Sequence, residues 1–428
     1  MDIERDDDLR TAYREHAVSD LLPFWWKAVD TQHGGIFTCF DNSGVHLVSR
    51  RKYTWSQGRF VWLWSRAARM ITASMLPGDA ALYLREAART VEFLNDNVFL
   101  PNGNCAYVLS ETGDKVEGDD SDTSIYADCF VLLGFAEYAL VARDSQVLQT
   151  AFQVYDRVRA RLASGLFRTE PYPIPAGYRS HSIAMILLRV TQILADAADA
   201  LDHERSREVT GETLRCTAEI LDVFADLDGR VCELIPTEER LKDTILARHA
   251  TPGHIFESMW FVIRTALQHG RAEWIERACR SITWAFEAGW DRECGGIFRY
   301  VDREGGRPRG VAGDEPYEAL MMDTWDTKIW WPHAEALYAT LLASKVTGDP
   351  RFPSLHTRLY EYVFRTFPNP DGAVGEWIQI RDRRGTPLDK VVALPVKDPY
   401  HILQDVLLMV ELLHSGGRSV DFARTRNG

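Results

Sequence analysis

A short glycine-bearing turn returns six times along this chain, and no other feature constrains the fold as strongly. It appears as His33-Gly34-Gly35-Ile36-Phe37, Asn102-Gly103-Asn104, Ser164-Gly165-Leu166, Asp228-Gly229-Arg230, Cys294-Gly295-Gly296-Ile297-Phe298 and Asp371-Gly372-Ala373-Val374-Gly375. The first and fifth copies align directly: Gly-Gly-Ile-Phe, an Asp four residues on, then a Gly. From Gly34 to Gly372 the turns fall about 68 residues apart. Between turns lie stretches with apolar and aromatic residues at helical spacing, among them residues 9–30, Tyr53 to Met70 and 80–98. Two such helices cannot bury both apolar faces alone, so the units must pack side by side. An open array of six would be a solenoid, and a closed one a barrel of twelve helices. The aromatic runs Trp55, Trp62 and Trp64, Met259-Trp260 and Trp330-Trp331 suit a buried inner ring. The pattern therefore predicts an all-α fold: an (α/α)6 barrel of six helical hairpins with short β-hairpins or turns. No composition shift divides the chain, so residues 1–428 read as one domain with a core over about 10–415.

Charge and cysteine content narrow the function classes. A formal net charge of −13 disfavours nucleic acid and anionic membrane surfaces as partners, but not a small neutral molecule. The seven cysteines are scattered and never paired as C-x-x-C, which fits reduced thiols in a cytoplasm and gives no zinc signature. The acidic start, Met1-Asp2-Ile3-Glu4-Arg5-Asp6-Asp7-Asp8, carries no apolar run of a secretory leader. No run of about 18 uninterrupted apolar residues marks a membrane span. A cytoplasmic protein without membrane or nucleic-acid partners is expected. The 13 tryptophans point to aromatic walls of the kind sugars stack on.

Polar residues stand inside four apolar, aromatic helical stretches. In Thr251-Pro252-Gly253-His254-Ile255-Phe256-Glu257, Thr251 is a candidate N-cap and Pro252 suits the first helical position. His254 and Glu257 then share a face, and the positive helix end disfavours a protonated His254. In Lys52-Tyr53-Thr54-Trp55-Ser56-Gln57-Gly58-Arg59, a cation flanked by tryptophan needs a partner, protein or ligand. Lys328-Ile329-Trp330-Trp331-Pro332-His333-Ala334-Glu335 and Lys397-Asp398-Pro399-Tyr400-His401 each place a His after a Pro, where a helix would start. A lone His at such a place is more often structural than catalytic. Three of them, in units four to six, would converge at one rim of a closed barrel. No G-x-S-x-G, H-E-x-x-H, P-loop or dinucleotide fingerprint is present.

These stretches resemble the N-acylglucosamine 2-epimerase superfamily, which also holds cellobiose and mannose 2-epimerases and mannose isomerases. The likeness rests on Tyr53-x-Trp55-x-Gln57-Gly58-Arg59, Pro252-Gly253-His254-x-x-Glu257, Trp330-Trp331-Pro332-His333-x-Glu335-Ala336 and Gly375-Glu376-Trp377 in order, with Tyr126-Ala127-Asp128-x-Phe130 between. It runs from about residue 20 to 415 and implies the same (α/α)6 barrel. It further implies His254 and His401 as general acid and base at C2 of an open-chain aldose, and Arg59 as the cation beside the enediolate. Tyr53, Trp55, Tyr126, Glu257, Trp331, His333, Glu335 and Trp377 fall in the implied substrate site. The family chemistry needs neither metal nor redox cofactor; a sugar is the implied partner, and a homodimer is left open.

Two departures bear on the substrate. Where cellobiose and mannose enzymes carry an extra His, this chain has Ala184-Met185-Ile186-Leu187, with His181 and Arg179 offset from it. Where the family's last His is often followed by an Arg, this chain reads His401-Ile402-Leu403-Gln404. The resulting expectation is a cofactor-independent sugar 2-epimerase acting on an aldose or N-acyl-hexosamine. An aldose–ketose isomerase of the mannose isomerase type is the alternative. A glycoside hydrolase on the same barrel, or a sugar-binding protein without activity, stands behind them.

Overall fold

The computed structural model describes residues 3–116 and 122–416, so Met1 and Asp2 of the acidic start lie outside the described residues. The outer ring consists of α1 (Ile3–Glu15), α3 (Ala80–Asn97), α5 (Ser145–Ser164), α7 (Ser206–Glu219), α9 (Ala272–Gly289) and α11 (Arg351–Thr366). The inner ring consists of α2 (Thr54–Thr72), α4 (Ile125–Ala142), α6 (His181–Ala200), α8 (Pro252–His269), α10 (Trp330–Thr347) and α12 (Tyr400–His414). Each inner helix packs on the next, and α12 returns to α2, so the ring closes. Each outer helix from α3 onward pairs with the inner helix before it, while α1 pairs with α12. The sixth hairpin is thus built from the two ends of the chain. The expected (α/α)6 barrel is present, with 58% helix.

Burial separates the two rings. Outer helices bury one stripe, as in α11 with Phe352, His356, Leu359, Tyr362 and Val363. Inner helices are buried nearly all round; in α12 every residue from Tyr400 to Leu413 is buried. That is why α4 is long and apolar enough to cross a membrane by length and composition, yet 72% of it is buried inside the barrel. Backbone contact sets the spacing of α2 and α4. A Cβ on Gly58 would stand 2.2 Å from the Phe130 carbonyl oxygen, and one on Gly134 2.4 Å from that of Gly58.

The glycine turns do what their spacing predicts. Antiparallel bridges Val29–Ile36, Phe99–Cys105, Ala225–Val231, Trp290–Ile297 and Pro368–Trp377 close five of them. The third differs: Gly165 is the left-handed cap that ends α5. In the sixth, Gly375 rather than Gly372 takes positive φ, +82°, and its missing Cβ leaves room for the Asp20 carbonyl. Four two-residue or three-residue antiparallel ladders line one rim: β1 (Lys52–Tyr53) with β2 (Val108–Leu109), β3 (Tyr178–Ser180) with β4 (Leu234–Pro236), β5 (His249–Ala250) with β6 (Val301–Asp302), and β7 (Lys328–Ile329) with β8 (Ile380–Arg381). Strands β1, β3, β5 and β7 lead straight into α2, α6, α8 and α10. The ladders therefore hold the N-termini of inner helices at that rim.

Three local expectations are corrected. Residues 9–30 are not one helix but α1, a π segment His16–Leu21 and a short helix Leu22–Lys27. Pro332 does not start α10, which begins two residues earlier at Trp330. Thr251 does stand at the N-cap of α8, but its hydroxyl makes no hydrogen bond among the described residues.

Candidate active site

A cleft of about 1330 Å³, counted out to its mouth, opens at the rim where the inner helices begin. The first two turns of the six supply its floor: Trp55 and Arg59 from α2, Tyr126 and Phe130 from α4, Ser182, Met185 and Ile186 from α6, His254 and Glu257 from α8, Trp330 and Trp331 from α10, His401 from α12. Six helix N-termini pointing to one cleft give it a positive field that favours anionic groups. Residues 171–175, Tyr300, Tyr317, 392–394 and Val396 form the upper wall.

His254 is held from outside its own hairpin. Its Nδ1 donates to Oε2 of Glu233, 2.9 Å away, which leaves Nε2 as the nitrogen open to a ligand. Glu233 is fixed by the β3–β4 ladder, where its carbonyl also accepts the N–H of His181. Burial acts to lower the His254 pKa, but the Glu233 carboxylate outweighs it, and the net shift is upward. Glu233 is lowered to about 2; burial opposes ionisation, and the charge and hydrogen bond of His254 overcome it. The expected influence of the helix end on His254 is thus overridden by a carboxylate 21 residues earlier. Glu257, the expected partner, lines the cleft, and its own pKa is raised by burial.

His401 is arranged differently. Its Nδ1 lies 2.7 Å from Oε1 of Glu335, while Oε2 of Glu335 accepts the Trp260 indole N–H at 2.6 Å. Its Nε2 lies 3.3 Å from Nη2 of Arg59 and 3.6 Å from Asp398. Burial pushes the His401 pKa down to about 3. Burial, with Asp405 and Glu257 nearby, pushes Glu335 well above the carboxylate range. The hydrogen bond between Nδ1 and Oε1 couples the two groups, so that Glu335 can answer a change of protonation at Nε2. Arg59 pairs with Asp398 at 3.3 Å and lies over the rings of Phe130, Trp55 and Tyr400 at 4.1, 4.9 and 4.9 Å. The partner its sequence setting calls for is therefore Asp398, which also caps α12 through the Tyr400 N–H.

Trp331 joins the two histidines: its ring centroid is 5.0 Å from that of His254 and 5.8 Å from that of His401. Gly253 makes this possible, because a Cβ there would stand 2.3 Å from the Trp331 ring.

Of the residues singled out in the sequence, Arg59, Trp55, Tyr126, His254, Glu257, Trp331 and His401 line the cleft. Tyr53, His333, Glu335 and Trp377 do not. Tyr53 lies edge-on to Tyr107 in the β1 region. The Trp377 indole donates to His16 in the outer wall. Glu335 stands behind His401 and reaches the cleft only through it. His333 is a turn clamp: Nε2 accepts the Ile297 N–H at 2.8 Å and Nδ1 donates to the Ile329 carbonyl at 2.7 Å. The internal repeat explains it. Gln57 follows Lys52 by five residues, as His333 follows Lys328, and its Oε1 accepts the Ile36 N–H of the equivalent Gly-Gly-Ile turn. Lys52 and Lys328 pair with Asp30 and Asp291 at the two turns.

Glu233 and Arg299 line the cleft without having been marked by any linear pattern, and Asp398, which stands beside His401 in the fourth stretch but was given no role, lines it too. Asp398 had a signal in hindsight, an acid two residues before a helix start. His181 is fully buried behind the cleft, and Arg179 turns outward to Glu219. The tertiary structure also assembles donor sets that spacing does not reveal. His181, Glu233 and His254 bring ligating atoms within 4.8 Å of one another, as do Glu257, Glu335 and His401, and either set could hold a metal ion. The seven cysteines are free and belong to neither.

The model of one protein family, N-acylglucosamine 2-epimerase, matches residues 35–405. Similar proteins include the N-acylglucosamine 2-epimerases of Bos taurus, 28% identical over 96% of this chain and 94% of that one, and of Homo sapiens, 28% identical over 96% and 93%. Among solved structures, the cellobiose 2-epimerase from Bacillus thermoamylovorans B4167 matches with TM-score 0.74 at 17% identity, covering 95% of this chain and 99% of that one. A D-mannose isomerase matches with TM-score 0.71 at 17% identity, covering 94% and 97%. These two likenesses bear on the fold alone. With nearly the whole barrel inside the family match, the chain belongs to the N-acylglucosamine 2-epimerase family, a family of sugar epimerases of the isomerase class.

Proposed function

We propose that this chain is a cofactor-independent 2-epimerase of an aldose or N-acyl-hexosamine, working by proton abstraction at C2 and an enediolate intermediate. Residues 10–415 are read as one catalytic unit. The observation that carries the reading is the pair of histidines with opposite pKa shifts in one cleft: His254 raised by Glu233, His401 lowered by burial. Two titrating groups pushed apart by their surroundings are what an acid–base pair needs at a single pH. In this reading Nε2 of His401 removes the C2 proton, passing charge to Glu335 through Nδ1. Protonated His254 then delivers a proton to the other face, and the roles reverse for the other epimer. The enediolate oxygens meet Arg59, a charge already oriented by Asp398 and three aromatic rings, together with the converging helix ends. Trp331 bounds the sugar between the bases.

The test is proton NMR in D₂O on a panel of aldoses, ketoses and N-acyl-hexosamines. Product carrying deuterium at C2 is expected. A ketose product would favour the isomerase reading, reducing sugar released from a glycoside the hydrolase one, and binding without exchange a sugar-binding protein.

A further inference from the structure

Arg299 is a buried cation on the cleft wall that, among the described residues, no carboxylate pairs with. It lies between the fifth glycine turn and β6 and is 4% exposed. Its Nη1 donates to the Thr324 hydroxyl at 3.1 Å and its Nη2 to the Tyr172 hydroxyl at 3.2 Å, both neutral acceptors. The guanidinium lies 4.9 Å from the centroid of the Tyr300 ring. Those contacts use two of the five N–H donors that a guanidinium carries. Among the described residues no ion pair involves Arg299, whereas Arg59, Arg161, Arg248 and Arg264 are paired with Asp398, Asp128, Asp302 and Asp196. Arg189 and Arg381 also lack a carboxylate at ion-pair distance, but neither lines the cleft.

The charges of the cleft make this more specific. Its carboxylates are Glu233, Glu257 and Asp398. Glu233 is committed to His254 and Asp398 to Arg59. Glu257 stands among His254, Arg59 and Arg189. Glu233 and Asp398 each have a cation at ion-pair distance, Glu257 shares those cations and is pushed toward its neutral form by burial, and Arg299 is left over. An isolated buried guanidinium is costly unless an anion meets it, and its planar fork fits a carboxylate, phosphate or sulfonate. The wall around it offers phenol hydroxyls and apolar surface: Tyr172, Tyr300, Tyr317, Pro173, Ile174. Burial keeps Tyr300 and Tyr317 protonated, hence able to donate. The charge of Arg299 acts on His254, while that of Arg59 acts on His401. The two cations therefore serve different parts of the cleft.

We infer that Arg299 is the counter-ion for an anionic substituent on the sugar, a carboxylate, phosphate or sulfonate carried away from C1 and C2, which meet Arg59. The inference rests on the reading of this cleft as an aldose site. The natural substrate is then an acidic sugar, such as a uronic acid or a sugar esterified at its far end.

The experiment compares D-glucose with D-glucuronate and D-glucose 6-phosphate in the C2 deuterium exchange assay, using wild type, Arg299→Gln and Arg299→Lys. At least one anionic sugar is expected to exceed glucose about 10–100-fold in kcat/KM, the range for hydrogen bonds to a charged group. Carboxylate and phosphate are told apart by which of the two leads. The anionic-to-neutral ratio should fall to about 1 in Arg299→Gln and stay intermediate in Arg299→Lys, which keeps the charge and loses the fork. Sulfate should inhibit wild-type exchange competitively beyond chloride of equal ionic strength, a measurement that needs no variant to fold. Equal rates for neutral and anionic sugars, with no sulfate inhibition, would overturn the inference and leave the epimerase reading intact. If no sugar exchanges at C2, the epimerase reading fails instead. Sulfate then decides the Arg299 site by calorimetry: binding to wild type and not to Arg299→Gln upholds it, and no binding overturns it.

Discussion

Each histidine of the proposed pair is held by a carboxylate from another element, and single substitutions can read out what each ring does. Replacing His254 or His401 by Asn keeps size and polarity but removes the titrating group. Each variant should lose at least about 10²-fold in net conversion, the low end for general acid–base catalysis. The double variant should be little worse than either single one, because the two act as a unit. One single variant should still exchange the C2 proton of one epimer in D₂O, since its remaining base can open and re-close the same face. Near-normal turnover of both single variants would remove the assignment. The pH profile tests Glu233. Because the His254 pKa is raised, its proton stays on as pH climbs past the ordinary histidine value, and activity falls as pH rises through the raised value. In Glu233→Gln, burial and the charge of Arg299 act on His254 with less opposition, so this alkaline limb should move to lower pH. An unmoved limb in a kcat/KM–pH profile would show that another group sets it.

Among the elements, the contact of α2 with α4 is the most exacting. Gly58 and Gly134 let the two backbones touch, and Arg59 is the residue after Gly58. Gly58→Ala forces the helices apart at the point that aims Arg59. It should cost about 1–3 kcal/mol in urea unfolding, typical of overpacking a dense core, and lower turnover as well. Unchanged stability would mean that the helices shift freely. The same view accounts for what was legible at this scale. Helix starts at Pro252 and Tyr400 stand within a residue or two of where capping and proline rules place them, and the start at Thr54 within a residue of where helical spacing places it. Arg59, His254 and His401 were visible as polar residues in otherwise apolar helices. His333 looked the same in the linear sequence. Its ring instead turns outward to the Ile297 N–H, as Gln57 does to Ile36, and only packing shows which face of a fully buried helix meets the cleft.

Across the whole molecule, closure of the ring decides what can meet what. It brings α12 beside α2, and so His401 beside Arg59, 342 residues apart. It also assembles the two donor sets around His254 and His401. If the proposed chemistry is right, C2 exchange should survive exhaustive EDTA treatment, because histidines and Arg59 carry the proton and the charge. Loss of exchange restored by one divalent ion would assign a metal to one of those sets.

By itself the sequence determined the repeat, the barrel class and a set of polar residues in apolar helices, with Arg59, His254 and His401 among them and His333 not told apart from them. These are properties of spacing and amphipathicity, which act along the chain. The tertiary structure alone decided the partners: Glu233 for His254, Glu335 for His401, Asp398 for Arg59, and for Arg299 two hydroxyls but, among the described residues, no carboxylate. Charge pairing depends on distance in space, and in a closed ring of six hairpins the nearest charge often belongs to a neighbouring hairpin or to the far end of the chain.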